Sequence, residues 1–144
     1  MASMNASRAG LLSMILPAAT LSLACQDRQD PLSDLEDTKW VLVDVAGHRA
    51  LPSPLATLEF TETGVFGGHT SCNSFGGRFE ADRDRLQVTE LMQNLAGCLS
   101  PIGDQESRYM DALSGAERIE LEDDELLMHS DAFDLPLRFR PAGE

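Results

Sequence analysis

Hydrophobic and polar residues alternate along most of the chain after Trp40. Because successive side chains of a β-strand point to opposite faces, a period of two predicts strands with one buried and one exposed face. In residues 39–45 apolar side chains occupy both faces, which predicts a strand that is covered on each side. The alternation is clearest in four segments, which are 57–61, 85–89, 118–122 and 135–140.

One segment interrupts this period. Ser100-Pro101 is a helix start signal, and Gly115 can end the helix. The order is then five short strands, one helix and three strands. This order predicts an α+β domain whose curled, barrel-like and mostly antiparallel sheet has about eight strands, with the helix covering an open end or face. The apolar residues that fall close to one helical face are Ile102, Tyr109, Met110 and Leu113.

The first 24 residues have the pattern of an export signal. They carry one charge, Arg8, followed by an apolar run over residues 10–24. As a helix this run would span about 22 Å, which is short of the roughly 30 Å hydrocarbon core of a membrane. The pattern therefore indicates export and not a membrane span.

The apolar run ends in Leu21-Ser-Leu-Ala-Cys25, which resembles the lipobox of bacterial lipoproteins. That resemblance implies that Cys25 is acylated, becomes the mature N-terminus and anchors the chain in a membrane. Gln26 in place of an aspartate then implies the outer membrane, with the domain facing the periplasm. The alternative is ordinary cleavage near Ala24 with a free Cys25. We divide the chain into a lipoprotein signal (1–24), an acylated cysteine with an acidic tether (25–37) and one folded domain (38–144).

The chain is strongly acidic, with 24 acidic and 11 basic side chains and a net charge of −13. Nucleic acids and anionic lipid surfaces both attract proteins with a basic face. The charge therefore argues against nucleic acid as a partner and against electrostatic adhesion to lipid. Membrane attachment would have to come through Cys25.

The segment from Gly68 to Phe79, Gly-His-Thr-Ser-Cys-Asn-Ser-Phe-Gly-Gly-Arg-Phe, carries the most specific motif. With Trp40-Val-Leu before it and Cys98 after it, the motif resembles the META domain family over residues 38–140. That family includes the heat-shock protein HslJ and many bacterial envelope lipoproteins. The motif residues that we expect to shape the domain are Trp40, Gly68, Asn73, Phe75, Gly77 and Phe79.

Glycine and asparagine at these positions predict a tight corner, because both residue types tolerate left-handed backbone angles. The family resemblance and the predicted export imply a disulfide between Cys72 and Cys98. Closing this loop would stabilise the fold by about 3 to 4 kcal/mol. The alternative of a reactive or metal-binding cysteine pair stays open, although no CxxC spacing exists and no histidine lies within two residues of either cysteine.

Candidate catalytic residues are scattered. His48, His69 and His129 are far apart in sequence, and His69-Thr-Ser71 beside Cys72 does not specify a nucleophile with its base. The acidic run near residues 120–125 lacks the alternating oxygen ligands and central glycine of a calcium loop. We therefore predict no catalytic residue, no metal and no cofactor, and we expect that the protein is not an enzyme.

Three functional classes follow. The first is a noncatalytic envelope lipoprotein that binds a protein or peptide partner, in envelope homeostasis or stress tolerance as the resemblance implies. The second is a periplasmic inhibitor or a carrier of a small apolar ligand, and the third is an enzyme. An exposed strand edge would favour the first class, a large apolar cavity the second, and a buried histidine with a shifted pKa beside Ser71 the third.

Overall fold

A computed structural model of the protein describes residues 32–143. These residues form nine β-strands, one α-helix and a short 3-10 turn at Ser33–Leu35. The strands before the helix are β1 (Thr38–Val45), β2 (His48–Arg49), β3 (Thr57–Glu62), β4 (Val65–His69), β5 (Ser74–Asp82) and β6 (Arg85–Gln93). After them come α1 (Ile102–Ser114), β7 (Ala116–Glu122), β8 (Glu125–Ser130) and β9 (Phe133–Pro141).

Eight of these strands close into an antiparallel barrel. Their order around the barrel is β1, β3, β4, β5, β6, β7, β8 and β9, and β9 returns to pair with β1. The ninth strand, β2, is an extra strand that pairs with the end of β1. The predicted fold class is confirmed. The sequence pattern missed β2 because two residues after a turn are too few to show a period.

The alternating residues fill the barrel as expected for half-buried strands. Leu58 in β3, Leu126 in β8 and Phe139 in β9 are fully buried in one core. Leu135 departs from the alternation and is exposed. It lies where the register of β8 and β9 shifts, between the pairs Met128–Leu137 and Ser130–Phe133. The irregular pairing there turns Leu135 away from the core.

Helix α1 begins at Ile102, one residue later than the start signal predicted. Its last residue is Ser114, and the N–H of the following Gly115 donates to the carbonyl of Asp111 at 3.2 Å. Tyr109 and Leu113 are fully buried against the barrel. We call the end of the barrel that holds α1 and segments 50–56, 69–73 and 94–101 the helix end. The opposite end, with the turns at 63–64, 83–84 and 123–124, is the turn end.

The last residues of the predicted tether lie against the turn end. Leu35 is buried in the core, and the hydroxyl of Thr63 donates a hydrogen bond to the carboxylate of Glu36. Residues 32–37, which we predicted to be part of the tether, therefore pack against the folded domain. Cys25 and the predicted export signal lie outside the described residues.

The barrel is weakly closed between β6 and β7. One pair of residues, Arg85 and Arg118, is in register, and the N–H of Ile119 donates to the carbonyl of Asp84 at 2.8 Å. Beyond this point β6 pairs with β5 alone as far as Gln93. One edge of β6 therefore has no strand partner over residues 87–93.

Candidate functional site

Residues 69–73 join β4 to β5 in a tight turn that we call the corner. Thr70 lies at its centre and is fully buried. The N–H of Thr70 donates to the carbonyl of Asn73 at 2.8 Å, and the Thr70 hydroxyl oxygen accepts the N–H of Asn73 at 2.9 Å. Ser71 has a φ of 84°, a conformation that residues with a Cβ rarely adopt. The corner is thus closed by its own hydrogen bonds.

Asn73 and Cys72 tie the corner to the segment that follows β6. The Asn73 Oδ1 accepts the N–H of Ala96 at 2.9 Å, and its Nδ2 donates to the Ala96 carbonyl at 3.0 Å. Cys72 forms a disulfide with Cys98, with the two Cα atoms 6.1 Å apart. The pairing that the resemblance implied is present in the structure. Segment 94–101 is therefore held at two points, two residues apart.

Glu106 of α1 binds the corner from the helix side. Its carboxylate oxygens accept hydrogen bonds from Asn73 Nδ2 at 2.9 and 3.0 Å and from the Thr70 hydroxyl. Both donors belong to buried residues. Hydrogen bonds to a charged group are stronger than those between neutral groups, and buried donors are costly to leave unpaired. Glu106 is therefore a main anchor of the helix end.

Gln105 provides the second anchor and is itself buried. Its Nε2 donates to Ser71 Oγ at 2.7 Å, and its Oε1 accepts the N–H of Leu51 at 2.7 Å. One side-chain amide thus joins the corner to segment 50–56. Because a buried amide needs partners for both its donor and its acceptor, this geometry fixes the position of α1.

The corner does not form a nucleophile with its base. The Ser71 hydroxyl donates to the carbonyl of Pro54 at 2.7 Å, and a carbonyl oxygen is not a general base. The His69 Nδ1 accepts the backbone N–H of Ser71 at 3.1 Å, which assigns the ring proton to Nε2. His48 on β2 and His129 on β8 belong to other strands. The hydrogen bonds of Ser71 and His69 are those of a structural network, and His48 and His129 have no hydrogen bond to either of them.

Two motif glycines permit close packing of the strands around the corner. A Cβ on Gly68 would overlap the carbonyl oxygen of Thr57. One on Gly77 would overlap the carbonyl oxygen of Glu90 and approach the ring of Phe66 to 2.7 Å. Larger residues at either position would push neighbouring strands apart.

The motif aromatics build the core below the corner. Phe75 meets the ring of Tyr109 edge-on at 5.5 Å, and Phe79 packs 6.0 Å from Phe66. Trp40 is buried on β1, with its indole N–H donating to the Thr38 hydroxyl at 2.8 Å. It lies in register with Leu58 and not at the corner. The structure therefore brings Gly68, Asn73, Phe75 and Gly77 close to one another and places Trp40 apart from them.

The histidine whose pKa is shifted, His129, lies on β8 and not in the corner. Burial raises the pKa of Tyr109 well above its ordinary value, and its hydroxyl donates to the Thr57 carbonyl at 3.0 Å. The pKa of His129 is lowered, first by burial and then by the charge of Arg118. Within residues 32–143 no three metal-binding side chains lie together. In the same part of the chain no helix is long and apolar enough to cross a membrane.

The structure adds two residues to the site that the sequence did not single out for a polar role, Gln105 and Glu106. A signal for Gln105 was available. It lies four positions before Tyr109 and eight before Leu113, so it occupies the apolar face of α1. A polar residue on a buried helical face must find partners, and this indicates a buried contact.

Three apolar side chains are exposed near the end of β6 and on the segment that follows it. They are Met92, Leu95 and Leu99, which are 69%, 90% and 89% exposed. We call these three residues the apolar rim. Leu95 and Leu99 flank Ala96 and Cys98, the two points at which the corner holds segment 94–101. The rim is therefore presented on a segment that cannot easily fold inward.

Comparisons with known proteins agree with the sequence motif and the fold. The META domain matches residues 33–142. An NMR structure of a protein from Burkholderia xenovorans is 23% identical with a TM-score of 0.64, and the match covers all of both chains. A crystal structure of a DUF4847 family protein from Bacteroides vulgatus is 14% identical with a TM-score of 0.55, over 75% of this chain and 94% of that one.

The structural likeness concerns the fold alone, because the identities are low. A second NMR structure shares 17% identity and a TM-score of 0.62, over 75% of this chain and 92% of that one. No curated protein matches the sequence. The site's role must therefore be inferred from its geometry.

Proposed function

Because the chain belongs to the META domain family, we propose that it is a noncatalytic binding domain of the bacterial cell envelope. A lipid on Cys25 anchors it, and the domain binds an extended segment of a partner protein along β6. The observation that carries this proposal is the unpaired edge of β6 next to the apolar rim. A role in envelope homeostasis or stress tolerance belongs to the same proposal.

The unpaired edge of β6 offers the hydrogen-bonding groups that a partner strand needs. Main-chain bonds to such an edge give affinity, and neighbouring pockets or apolar residues give specificity. Met92 lies on β6 itself, and Leu95 follows its end by two residues. A strand added beside β6 would therefore bring its own apolar side chains onto the rim.

The pinned rim lowers the cost of binding. Ordering a loop at an interface costs free energy that reduces affinity. In this protein the disulfide and the Asn73 amide already order segment 94–101. Exposed apolar residues on a rigid segment are typical of interaction sites.

The barrel interior does not favour the carrier function. A space among Phe60, Phe66, Phe79, Leu113 and Met128 inside the barrel measures about 10 Å³, and a cleft of about 210 Å³ at the turn end shares Phe60 and Phe79. The internal space holds at most about one water molecule, whereas small-molecule sites usually measure about 300 Å³ or more. The interior therefore supports a packed core and not an apolar ligand site.

The binding surface is tested by site-specific photo-crosslinking in cells. A crosslinker at position 95 should trap a partner protein, whereas the same crosslinker at exposed Leu135 on β9 should not. Leu95→Gln should reduce binding of the identified, purified partner about tenfold, because a buried leucine contributes about 1.5 kcal/mol or more. The matched control Leu135→Gln should leave binding unchanged. Equal trapping or equal loss at both positions would refute the β6 surface.

The anchor and the absence of catalysis need separate measurements. Cys25→Ser should release the protein from the membrane fraction, and mass spectrometry of the wild type should show an acylated Cys25. Single substitutions of His48, His69, His129 and Ser71 should still complement a deletion phenotype wherever the protein folds. One such variant that is folded, abundant and inactive would identify an enzyme.

A further inference from the structure

Several basic residues line a cleft on the side of the barrel away from β6. It lies between β1, β9 and segment 50–55 and encloses about 460 Å³. Arg49, Arg138 and Arg140 line it, so three of the eleven basic residues of a chain with net charge −13 meet at one place. An adjoining cleft shares Arg49 and adds Arg108 and His48. Asp104 also lines this second cleft, so its two arginines face one carboxylate.

The three arginines differ in their pairing. Arg138 donates from Nε and Nη2 to the Glu125 carboxylate at 3.1 and 2.5 Å, and this ion pair raises the pKa of Arg138. Arg49 and Arg140 make no hydrogen bond or ion pair with any residue in 32–143. Two guanidinium groups with free donors therefore face the cleft.

The carboxylates in the cleft do not neutralise it. Asp44 and Glu125 are the acidic residues in its lining. Asp44 already accepts the N–H of Gly47 at 2.6 Å, and Glu125 is bound to Arg138. Three guanidinium groups and two carboxylates leave a local excess of positive charge. Such a cleft attracts an anion even on a protein that repels anions elsewhere.

The strand register sets the spacing of the basic groups. Arg138 and Arg140 are two residues apart on β9, so they share a face with about 7 Å between them along the strand. Arg138 lies in register with Asp44, and Asp44 with Arg49 on β2. Arg49 is therefore displaced from Arg138 by two strand spacings, roughly 10 Å. The backbone positions of the three arginines are therefore spread over about 7 to 10 Å of the cleft.

Apolar residues complete the lining. Leu51, Pro52 and Leu55 form one wall, and Val41 contributes to the floor. A ligand that fills this cleft needs carboxylates several ångströms apart and apolar groups between them. An extended peptide has this composition when acidic and apolar residues alternate, because its side chains repeat every 7 Å or so on each face.

We propose that this basic cleft binds an acidic peptide segment of a partner protein, through Arg49 and Arg140. Each free guanidinium can donate two parallel hydrogen bonds to one carboxylate, whereas Arg138 already donates to Glu125. The cleft lies on β1 and β9, across the barrel from β6. Its occupation is therefore independent of the β6 surface, and either proposal can fail alone.

Calorimetric titration of the purified full chain tests the proposal. The probes are a capped peptide of alternating glutamate and leucine, the same peptide with glutamine for glutamate, and inorganic phosphate. The glutamate peptide should bind more tightly than either other probe and should weaken as salt is added. Equal binding of the glutamine peptide, tighter binding of phosphate, or no binding of the glutamate peptide would overturn the proposal.

Three charge-matched variants locate the site. Arg49→Gln and Arg140→Gln should each weaken the glutamate peptide about tenfold, because each removes a charge-assisted hydrogen-bonding group. Arg85→Gln on β6 removes the same charge elsewhere and should have little effect. If Arg85→Gln weakens binding as much, general charge and not the cleft attracts the peptide. Dimerisation of the chain that is lost in Arg140→Gln would assign the cleft to a second copy and contradict a separate partner.

Discussion

The two ends of the barrel are closed by different kinds of interaction. At the turn end, short hairpins use residues with positive φ, among them Gly64, Arg83 and Asp124, and each turn is built from neighbours in sequence. At the helix end, Asn73 bonds Ala96 and Glu106, which are 23 and 33 positions away. The turns of one end are local apart from the Thr63–Glu36 and Ile119–Asp84 hydrogen bonds, whereas the other end is held mainly by contacts between distant segments. Changes at the helix end should therefore cost more stability.

This difference also determines where the sequence can be changed without moving other segments. A local turn can be replaced without moving the rest of the chain. The apolar rim, in contrast, depends on the corner for its position. We expect a binding surface to be found where distant segments fix it.

The largest loss of stability should follow removal of the disulfide. Cys72→Ala and Cys98→Ala should each lower the free energy of unfolding by about 3 to 4 kcal/mol, since the bond closes a loop with ends 26 positions apart. The double variant should resemble either single one, because all three lack the same bond. Urea unfolding of the oxidised proteins measures this. Additive losses in the double variant would show that the cysteines act separately.

The next largest effect should follow from removing the Glu106 carboxylate. Glu106→Ala leaves Thr70 and Asn73 without their charged acceptor and should cost about 2 to 3 kcal/mol. Asp111→Ala, on an exposed residue of the same helix, should change stability by less than about 0.5 kcal/mol. Thermal and urea unfolding compare the two variants. Equal losses would mean that Glu106 does not anchor the helix end.

One substitution made at both ends compares them directly. Asp124→Gly at the turn end relieves a φ of 65° but makes the unfolded chain more flexible, so the net change should stay within about 0.5 kcal/mol. Ser71→Gly in the corner relieves a φ of 84° and also removes the hydroxyl that bonds Pro54 and Gln105. It should cost about 1 to 3 kcal/mol. A neutral Ser71→Gly would remove the distinction between the ends.

The smallest effect should come from His129, which is half-buried on β8. Burial and the charge of Arg118 lower its pKa below the ordinary 6.5 in the folded state. The folded protein then binds fewer protons than the unfolded chain just below pH 6.5. Its stability contribution is therefore present above pH 6.5 and is lost as the pH falls towards the lowered pKa.

Urea unfolding between about pH 8 and pH 5 tests this pH dependence. The wild type should lose slightly more stability on acidification than His129→Gln, which has no such titration. An identical pH dependence in both proteins would show that His129 does not contribute.

The sequence predicted the features that depend on neighbours. The alternation in β3 and β9 predicted half-buried strands, and Gly68 with Asn73 predicted a tight corner. The corner is present, but its left-handed residue is Ser71, whereas Asn73 holds the corner through its side-chain amide. The partners of Gln105 and the open edge of β6 depend on which distant segments meet. In register, β6 and β7 pair only at Arg85 and Arg118, and no local pattern in the sequence records this. The basic cleft could not be predicted either, because Arg49 and Arg140 are 91 positions apart in sequence and meet only in the folded barrel.

The pairing of β1 with β9 makes the order of synthesis important for folding. The first and last strands meet at Trp40 and Pro141, and the N–H of Ala142 donates to the carbonyl of Lys39 at 2.9 Å. The barrel cannot close until β9 has been synthesised. Contacts of such long sequence separation slow folding, and the unfinished barrel exposes the edges of β1 and β8 to other chains. A chain shortened before β9 would therefore be prone to aggregate, whereas a circular permutant that joins residues near 38 and 142 would keep every strand pairing.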